Sequence, residues 1–259
     1  MKPLAALDAR SVKVVLLDID DTLTTSGKLT AEAYGALEEL KRAGKLVVPV
    51  TGRPAGWCDH IARMWPVDAV VGENGAFYFR LSRGRLEKRF HDDASVRATQ
   101  RERLVAIGRR IVEGVPGCAL ASDQPYRETD LAIDYCEDVP PLPLAAAEQI
   151  AVLMRGAGLQ AKISSIHVNG WFGNYDKLAM TRQLFAEAFG WDLEARNREA
   201  VFAGDSPNDA PMFTFFDNSV GVENLRRFDS LAFDRPKYVA QAASGAGFAE
   251  LARHILRAG

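Results

Sequence analysis

The first third of the chain alternates short apolar runs with amphipathic stretches. Val12 to Leu17 is valine-rich, the pattern of a strand buried on both faces, and it ends in the acidic turn Asp18-Ile19-Asp20-Asp21-Thr22. A helix is expected from Thr30 to about Ala43: Thr30 suits an N-cap, Tyr34, Leu37 and Leu40 recur at a spacing of three, and Gly44 follows the end. Leu46 to Val50 reads as a second buried strand. It runs into Thr51-Gly52-Arg53-Pro54, whose proline opens a helix over 54–65. A third strand, Ala69 to Val71, leads into Gly72-Glu73-Asn74-Gly75. This rhythm implies right-handed crossovers and a parallel sheet.

The pattern then changes. Phe77–Phe79 and Leu86–Phe90, separated by Ser82-Arg83-Gly84, predict a hairpin. A helix over 94–113 follows, then strands ending near Ser122 and spanning Leu131–Tyr135. A proline-marked loop (Pro140, Pro141, Pro143), a helix over 144–157 and a strand over Lys162–Val168 complete this α+β section. The α/β rhythm resumes after Gly170, with a helix over 177–189 and a strand Ala200–Ala203 that ends in Gly204-Asp205-Ser206-Pro207-Asn208-Asp209. A strand over Ser219–Val222 and a helix over 247–256 close the chain. The expected organisation is a discontinuous α/β core (1–82 and 173–259) interrupted by an inserted α+β domain (83–172).

Polar residues gather at the carboxyl ends of the predicted core strands, where open parallel sheets bind ligands. They are Asp18, Asp20, Thr51, Glu73, Asn74, Asp205, Asn208 and Asp209. Any one of them alone suits an N-cap or a turn. Two acidic clusters in one sheet go further, because grouped carboxylates repel unless a cation lies among them. Hard oxygen donors without Cys or His clusters suit Mg²⁺ rather than zinc. Asp18 and Asp20, two residues apart on leaving a strand, point the same way, so one can act as nucleophile while the other moves a proton. Lys177, at the start of a predicted helix, is placed to add positive charge against a phosphoryl group.

Composition narrows the class. The 259 residues are 47% hydrophobic and 25% charged, which excludes a disordered, fibrous or disulfide-scaffold protein. The three cysteines are scattered and read as reduced thiols. No apolar run reaches membrane-spanning length, and Asp8 and Arg10 interrupt the place of a signal peptide, so a cytoplasmic protein is expected. The net charge of −2 gives no global field for nucleic acid. That charge is uneven: residues 80–110 sum to +6 and the remainder to −8. The basic stretch reads as a solvated helix face plus hairpin, or more sharply as a segment that draws an anionic substrate to a cleft.

The motifs together resemble the haloacid dehalogenase superfamily of phosphotransferases. Asp18-Ile19-Asp20-Asp21-Thr22-Leu23-Thr24 is similar to its DxDxT turn, Thr51-Gly52-Arg53 to its second motif, Lys177 to its third and Gly204–Asp209 to GDxxND. The resemblance implies a Rossmann-like core with a cap inserted after the third strand, similar to the second cap type in its B form (class IIB). Sucrose-phosphate, mannosyl-phosphoglycerate and phosphoglycolate phosphatases and the phosphomannomutases belong there.

Carried over by resemblance, Asp18 is the nucleophile and a metal ligand. Asp20 is the general acid/base and contributes its carbonyl to the metal. Thr51, Gly52, Arg53, Asn74 and Lys177 hold the substrate phosphate, and Asp205, Asn208 and Asp209 complete the Mg²⁺ site. Two positions depart from the pattern: Asp21 stands where the family most often has Gly, and Leu178 where its sugar phosphatases often do. Within the cap, Arg127, Glu128, Asp134, His167 and Asn169 are candidates to face the leaving group, with His167 and Asn169 favoured by their alternation. The expected activity is Mg²⁺-dependent hydrolysis of a small phosphorylated metabolite, a sugar phosphate or a phosphoglycolate-like acid, with no membrane or nucleic-acid partner. A hexose phosphomutase and a non-catalytic phosphate-sensing module are the alternatives, and the oligomeric state is left open.

Overall fold

A computed structural model describes all 259 residues. The chain runs β1 (Lys2–Pro3), β2 (Val14–Leu17), α1 (Ala31–Arg42), β3 (Leu46–Pro49), α2 (Ala55–Met64), β4 (Val70–Gly72), β5 (Phe77–Ser82) and β6 (Arg85–Phe90). It continues through α3 (Ala94–Gly114), β7 (Ala119–Leu120), β8 (Asp130–Asp134), α4 (Leu144–Gly156), β9 (Gln160–Ile163) and β10 (His167–Trp171). The last part holds α5 (Lys177–Leu184), β11 (Ala200–Gly204), α6 (Ala210–Phe215), β12 (Asn218–Gly221), β13 (Tyr238–Val239) and α7 (Ser244–Ala258).

Six parallel strands form the main sheet in the order β1-β13-β12-β11-β2-β3. The continuous apolar runs read from the sequence are buried on both faces. Val15 and Leu17 pack with α1 and α7 on one side, and Val14 and Leu16 pack with α5 and α6 on the other. The Thr30 hydroxyl accepts a hydrogen bond from the Ala33 amide at 3.2 Å and caps α1. β4 meets the sheet through a parallel bridge, Val50 to Val71, and continues into the antiparallel hairpin β5–β6. The 82–83 junction therefore falls at the hairpin turn, where Arg83 and Gly84 both have positive φ. The remaining sheet, β7-β8-β10-β9, is antiparallel, with α3 and α4 over one face and a separate apolar core. This is the α/β core plus α+β insert expected from the patterning.

Three local expectations are corrected. The predicted strand Lys162–Val168 is two strands, β9 and β10, because the chain reverses at Ser164–Ile166. The Ser164 hydroxyl accepts from the His167 amide at 3.0 Å and donates to the His167 carbonyl, which closes the turn. The helix over 177–189 ends at Leu184 and widens into one π turn, Phe185–Phe189, before left-handed Gly190. The two-residue strands β1, at the sheet edge, and β13, beside it, are additions to the expected elements, too brief to leave a periodic signal.

One close approach fixes the site. Gly75 has φ of 105°, and a Cβ there would lie 2.0 Å from the Asp176 carbonyl oxygen, immediately before Lys177. Gly75→Ala is expected to cost about 2 kcal/mol or more by strain and displacement. Urea unfolding measures this, and an unchanged midpoint would mean the two loops part freely.

Candidate functional site

The ends of β2, β3, β4 and β11 bring the sequence-selected residues together. Asp18 leaves β2 with its amide bonded to the Ala203 carbonyl of β11 at 2.9 Å. Lys177, the first residue of α5, is buried and donates to Asp18 Oδ1 at 2.8 Å and to Asp209 Oδ1 at 2.7 Å. The other oxygen of Asp209 accepts from the amides of Asp205 and Ser206. A Cβ at Gly204 would lie 2.4 Å from that oxygen, so only glycine lets the β11 turn close this tightly. Thr22 and Asn224 approach the two oxygens of Asp205 at 3.5 and 3.3 Å.

The electrostatics follow from burial. Asp18, Asp205 and Asp209 offer carboxylate oxygens within 4.8 Å of one another, all buried. Desolvation raises the Asp18 carboxyl to about 7 against the opposing charge of Lys177. Desolvation and the charges of Asp18 and Asp209 push Asp205 well above the usual carboxylate range. Burial would lower the Lys177 ammonium, but Asp18 and Asp209 outweigh it and raise it. One cation among three acids leaves an excess of buried negative charge that a hard divalent cation satisfies, and the all-oxygen donor set fits Mg²⁺.

The phosphate-side expectations separate into two groups. The buried Thr51 hydroxyl accepts from the Arg53 amide at 3.0 Å and keeps its own proton to donate. Asn74, with φ of 56°, bonds Asn208 and Asp130, each at 3.4 Å, and packs on Gly52. Arg53 lines the small cavity beside Asp18, but its guanidinium holds Asp20 and reaches Asp123 and Glu137 of the inserted domain.

The cap candidates also divide. His167 and Asn169 line a cavity of about 10 Å³ against Asp18, with Ser164 and Ile166. Asn169 donates to Asp130 at 3.0 Å, and His167 Nε2 lies 2.9 Å from Glu137. Arg127 instead is a buried clamp, bonded to Asp123, Asp130 and the Gly52 carbonyl. Asp134 organises its own loop by accepting from the amides of Cys136, Glu137 and Asp138. Glu128 pairs with Arg101 at the surface.

Glu73 reads in the sequence only as one of the polar residues at the strand ends, and Arg227 carries no sequence signal. Glu73 is buried at φ of 42° and accepts from five donors: the amides of Ala55, Glu128, Thr129 and Asp130 and the Thr129 hydroxyl. Burial and the charge of Asp130 push its carboxyl up to about 7, while Arg127 and these donors pull it back. Arg227 donates to Asp21 at 3.3 Å and to the Ser165 carbonyl at 2.6 Å. Asp21 itself has φ of 55°, which explains why glycine is usual there and why a short acid is tolerated. A second cavity, about 250 Å³, opens beside Asp20 and is walled by Asp21, Arg53, Cys136, Glu137, Ser165 and Arg227 among others.

A family model described as haloacid dehalogenase-like hydrolase matches residues 15–94. A phosphoglycolate phosphatase of Haloarcula marismortui is 27% identical over 238 residues, spanning 91% of this chain and 94% of that protein. A Thermoplasma acidophilum structure superposes with a TM-score of 0.70 at 15% identity, covering 95% of this chain and 98% of that one. The sucrose-phosphatase of Synechocystis sp. PCC6803, solved with sucrose and phosphate, gives a TM-score of 0.61 at 18% identity, covering 93% and 97%. At these identities the structural likenesses establish the fold.

Glu137 yields a pH prediction. Burial would raise its carboxyl, but His167 and Arg53 outweigh burial and hold it at about 2, below its ordinary 4.5. A depressed carboxylate contributes stability above its unfolded value and loses it on acidification. The Glu137 contribution is therefore present above about pH 4.5 and vanishes as pH falls toward about 2. Glu137→Gln should flatten that part of the acid limb in urea-unfolding midpoints, and superimposable acid limbs would refute the assignment.

Proposed function

We propose that the chain is a haloacid dehalogenase-like hydrolase, in keeping with the family model that matches residues 15–94, and that it acts as an Mg²⁺-dependent phosphatase of a small phosphorylated metabolite through a phospho-Asp18 intermediate. The observation that carries this reading is the buried Asp18 at the end of β2, bonded to Lys177 and grouped with Asp205 and Asp209. Asp18 and Asp205, with the Asp20 carbonyl, would hold the ion, and Asn208 and Asp209 would support them. When bound, Mg²⁺ supplies positive charge against the phosphoryl oxygens.

An oxygen of Asp18 attacks phosphorus, the bond to the leaving oxygen breaks, and Asp20 gives that oxygen its proton. Asp20 then takes a proton from water as the water attacks phosphorus and frees the Asp18 carboxylate. Lys177 stabilises the charge that builds on the phosphoryl group, and the Thr51 hydroxyl donates to it. The small cavity against Asp18 and the 250 Å³ space beside Asp20 suit a compact ester. A sugar phosphate and a phosphoglycolate-like acid are the candidates, in keeping with the sucrose-phosphatase and phosphoglycolate phosphatase relatives.

Asp18→Asn is expected to abolish release of inorganic phosphate from p-nitrophenyl phosphate while leaving thermal unfolding cooperative. Activity near that of the unchanged protein would exclude Asp18 as nucleophile. EDTA should silence the enzyme and added Mg²⁺ restore it; activity that persists in EDTA would exclude the metal site. A screen of phosphorylated metabolites by phosphate release identifies the substrate, and isomerised ester in place of free phosphate would indicate a mutase.

A further inference from the structure

Arg53 is only 3% exposed, and its guanidinium is surrounded by three carboxylates. Nε lies 2.9 Å from each carboxylate oxygen of Asp20. Nη1 donates to Asp123 at 3.3 Å and to Glu137 at 3.1 Å, and Nη2 reaches Asp20 at 2.8 Å and Glu137. The guanidinium stacks over Trp57 at 4.3 Å, which fixes its plane. Of the five N–H groups of the guanidinium, four donate to these carboxylates and the fifth, on Nη2, lies against Asp20. Two of the three acids, Asp123 and Glu137, come from the inserted domain, while Asp20 lies on the core.

We propose that Arg53 is a positioning residue: it fixes the Asp20 carboxylate for proton transfer, and Glu137 and Asp123 of the cap hold it in the orientation that does so. The inference rests on the reading of Asp20 as general acid. It makes proton delivery depend on the cap being seated, since Glu137 lies in the loop after β8 and its carboxylate meets both Arg53 and His167. Trp57 alone does not fix the direction of the fork. A lysine keeps the charge but lacks the planar, two-point grip.

Leaving-group dependence tests the proposal. The kcat/KM values for p-nitrophenyl phosphate and phenyl phosphate report the first transfer, to Asp18. Nitrophenolate departs without a proton, whereas the more basic phenolate needs one. Arg53→Ala is expected to lose about tenfold or more in kcat/KM on phenyl phosphate beyond its loss on p-nitrophenyl phosphate, a fraction of what general-acid catalysis supplies. Arg53→Lys should recover only part of that. Glu137→Gln should shift the ratio the same way by a smaller factor, and competitive inhibition by inorganic phosphate should be unaltered.

Equal losses on both esters with weaker phosphate inhibition would make Arg53 a phosphate ligand and overturn the proposal. Equal losses with unchanged inhibition would reduce it to a structural residue, which also overturns it. If Arg53→Ala does not fold, Glu137→Gln, which leaves Arg53 in place, decides between the same outcomes. Asp20→Asn serves as the reference: without leaving-group selectivity in that variant, the general-acid reading itself falls and takes the Arg53 role with it. Activity retained by Asp18→Asn would instead strike at the assignment of Asp18 as nucleophile alone.

Discussion

The ammonium of Lys177 is the contact on which the site depends. It lies between Asp18 and Asp209, 159 and 32 residues away in sequence, in a space none of the three shares with bulk water. Two buried carboxylates this close repel strongly, and breaking such a cluster by removing its cation costs several kcal/mol. The fold therefore invests in placing one amine. Asp176 caps α5 through the Ala179 amide, and Gly75 lets the loop after β4 approach the carbonyl of Asp176. Gly204 lets the β11 turn close on Asp209. Even with Lys177 present the cluster is short of positive charge, which is the electrostatic reason it suits an oxygen-liganded divalent cation.

The core elements were legible because both their signals are local. A valine-rich run with no polar face can only be an interior strand, and an acid at its carboxyl end can only lie at the rim where the next helix begins. Asp18, Thr51, Asn74 and Asp205 fall in that class, and the sheet order brings them to one edge. Glu137, Asp123 and Arg227 were not legible, because each acts across the seam between core and insert, the first two from irregular segments and Arg227 from a short 3-10 helix, Glu223–Phe228. Arg127 misled for the same reason. A buried arginine and a substrate-facing one look alike in sequence, and only its pairing with Asp123, Asp130 and the Gly52 carbonyl separates them.

The charge map changes in a related way. The ten basic residues between 80 and 110 were a candidate funnel for an anionic ester. In the fold none of them lines the cavities against Asp18 and beside Asp20. Lys88 pairs with Asp59, Arg89 with Glu187, Arg101 with Glu128, and Arg97 stacks on Phe90. Surface pairs of this kind contribute little and are screened by salt. The positive groups at the cleft are Lys177, Arg53 and Arg227, drawn from three separate parts of the chain and surrounded by acids. Charge counted over a window predicts a field only when the window shares a face, and β5, β6 and α3 do not.

The seam between core and insert is asymmetric, and the asymmetry has a direction. At the base of the insert, where β8 and β10 leave the core, the Glu73 carboxylate binds the amides of Glu128, Thr129 and Asp130, and Arg127 grips the turn after Thr51. Parting these groups strands a buried carboxylate and a buried guanidinium together, a costly loss in low dielectric. At the far end, the loops around Glu137 and Ser165 meet Arg53 and Arg227, and there Glu137 and Arg227 are already partly in contact with water. Charged groups that water can reach lose less when separated. Separating charges is therefore less costly around Glu137 and Arg227 than at the end that supports Thr51 and Asn74.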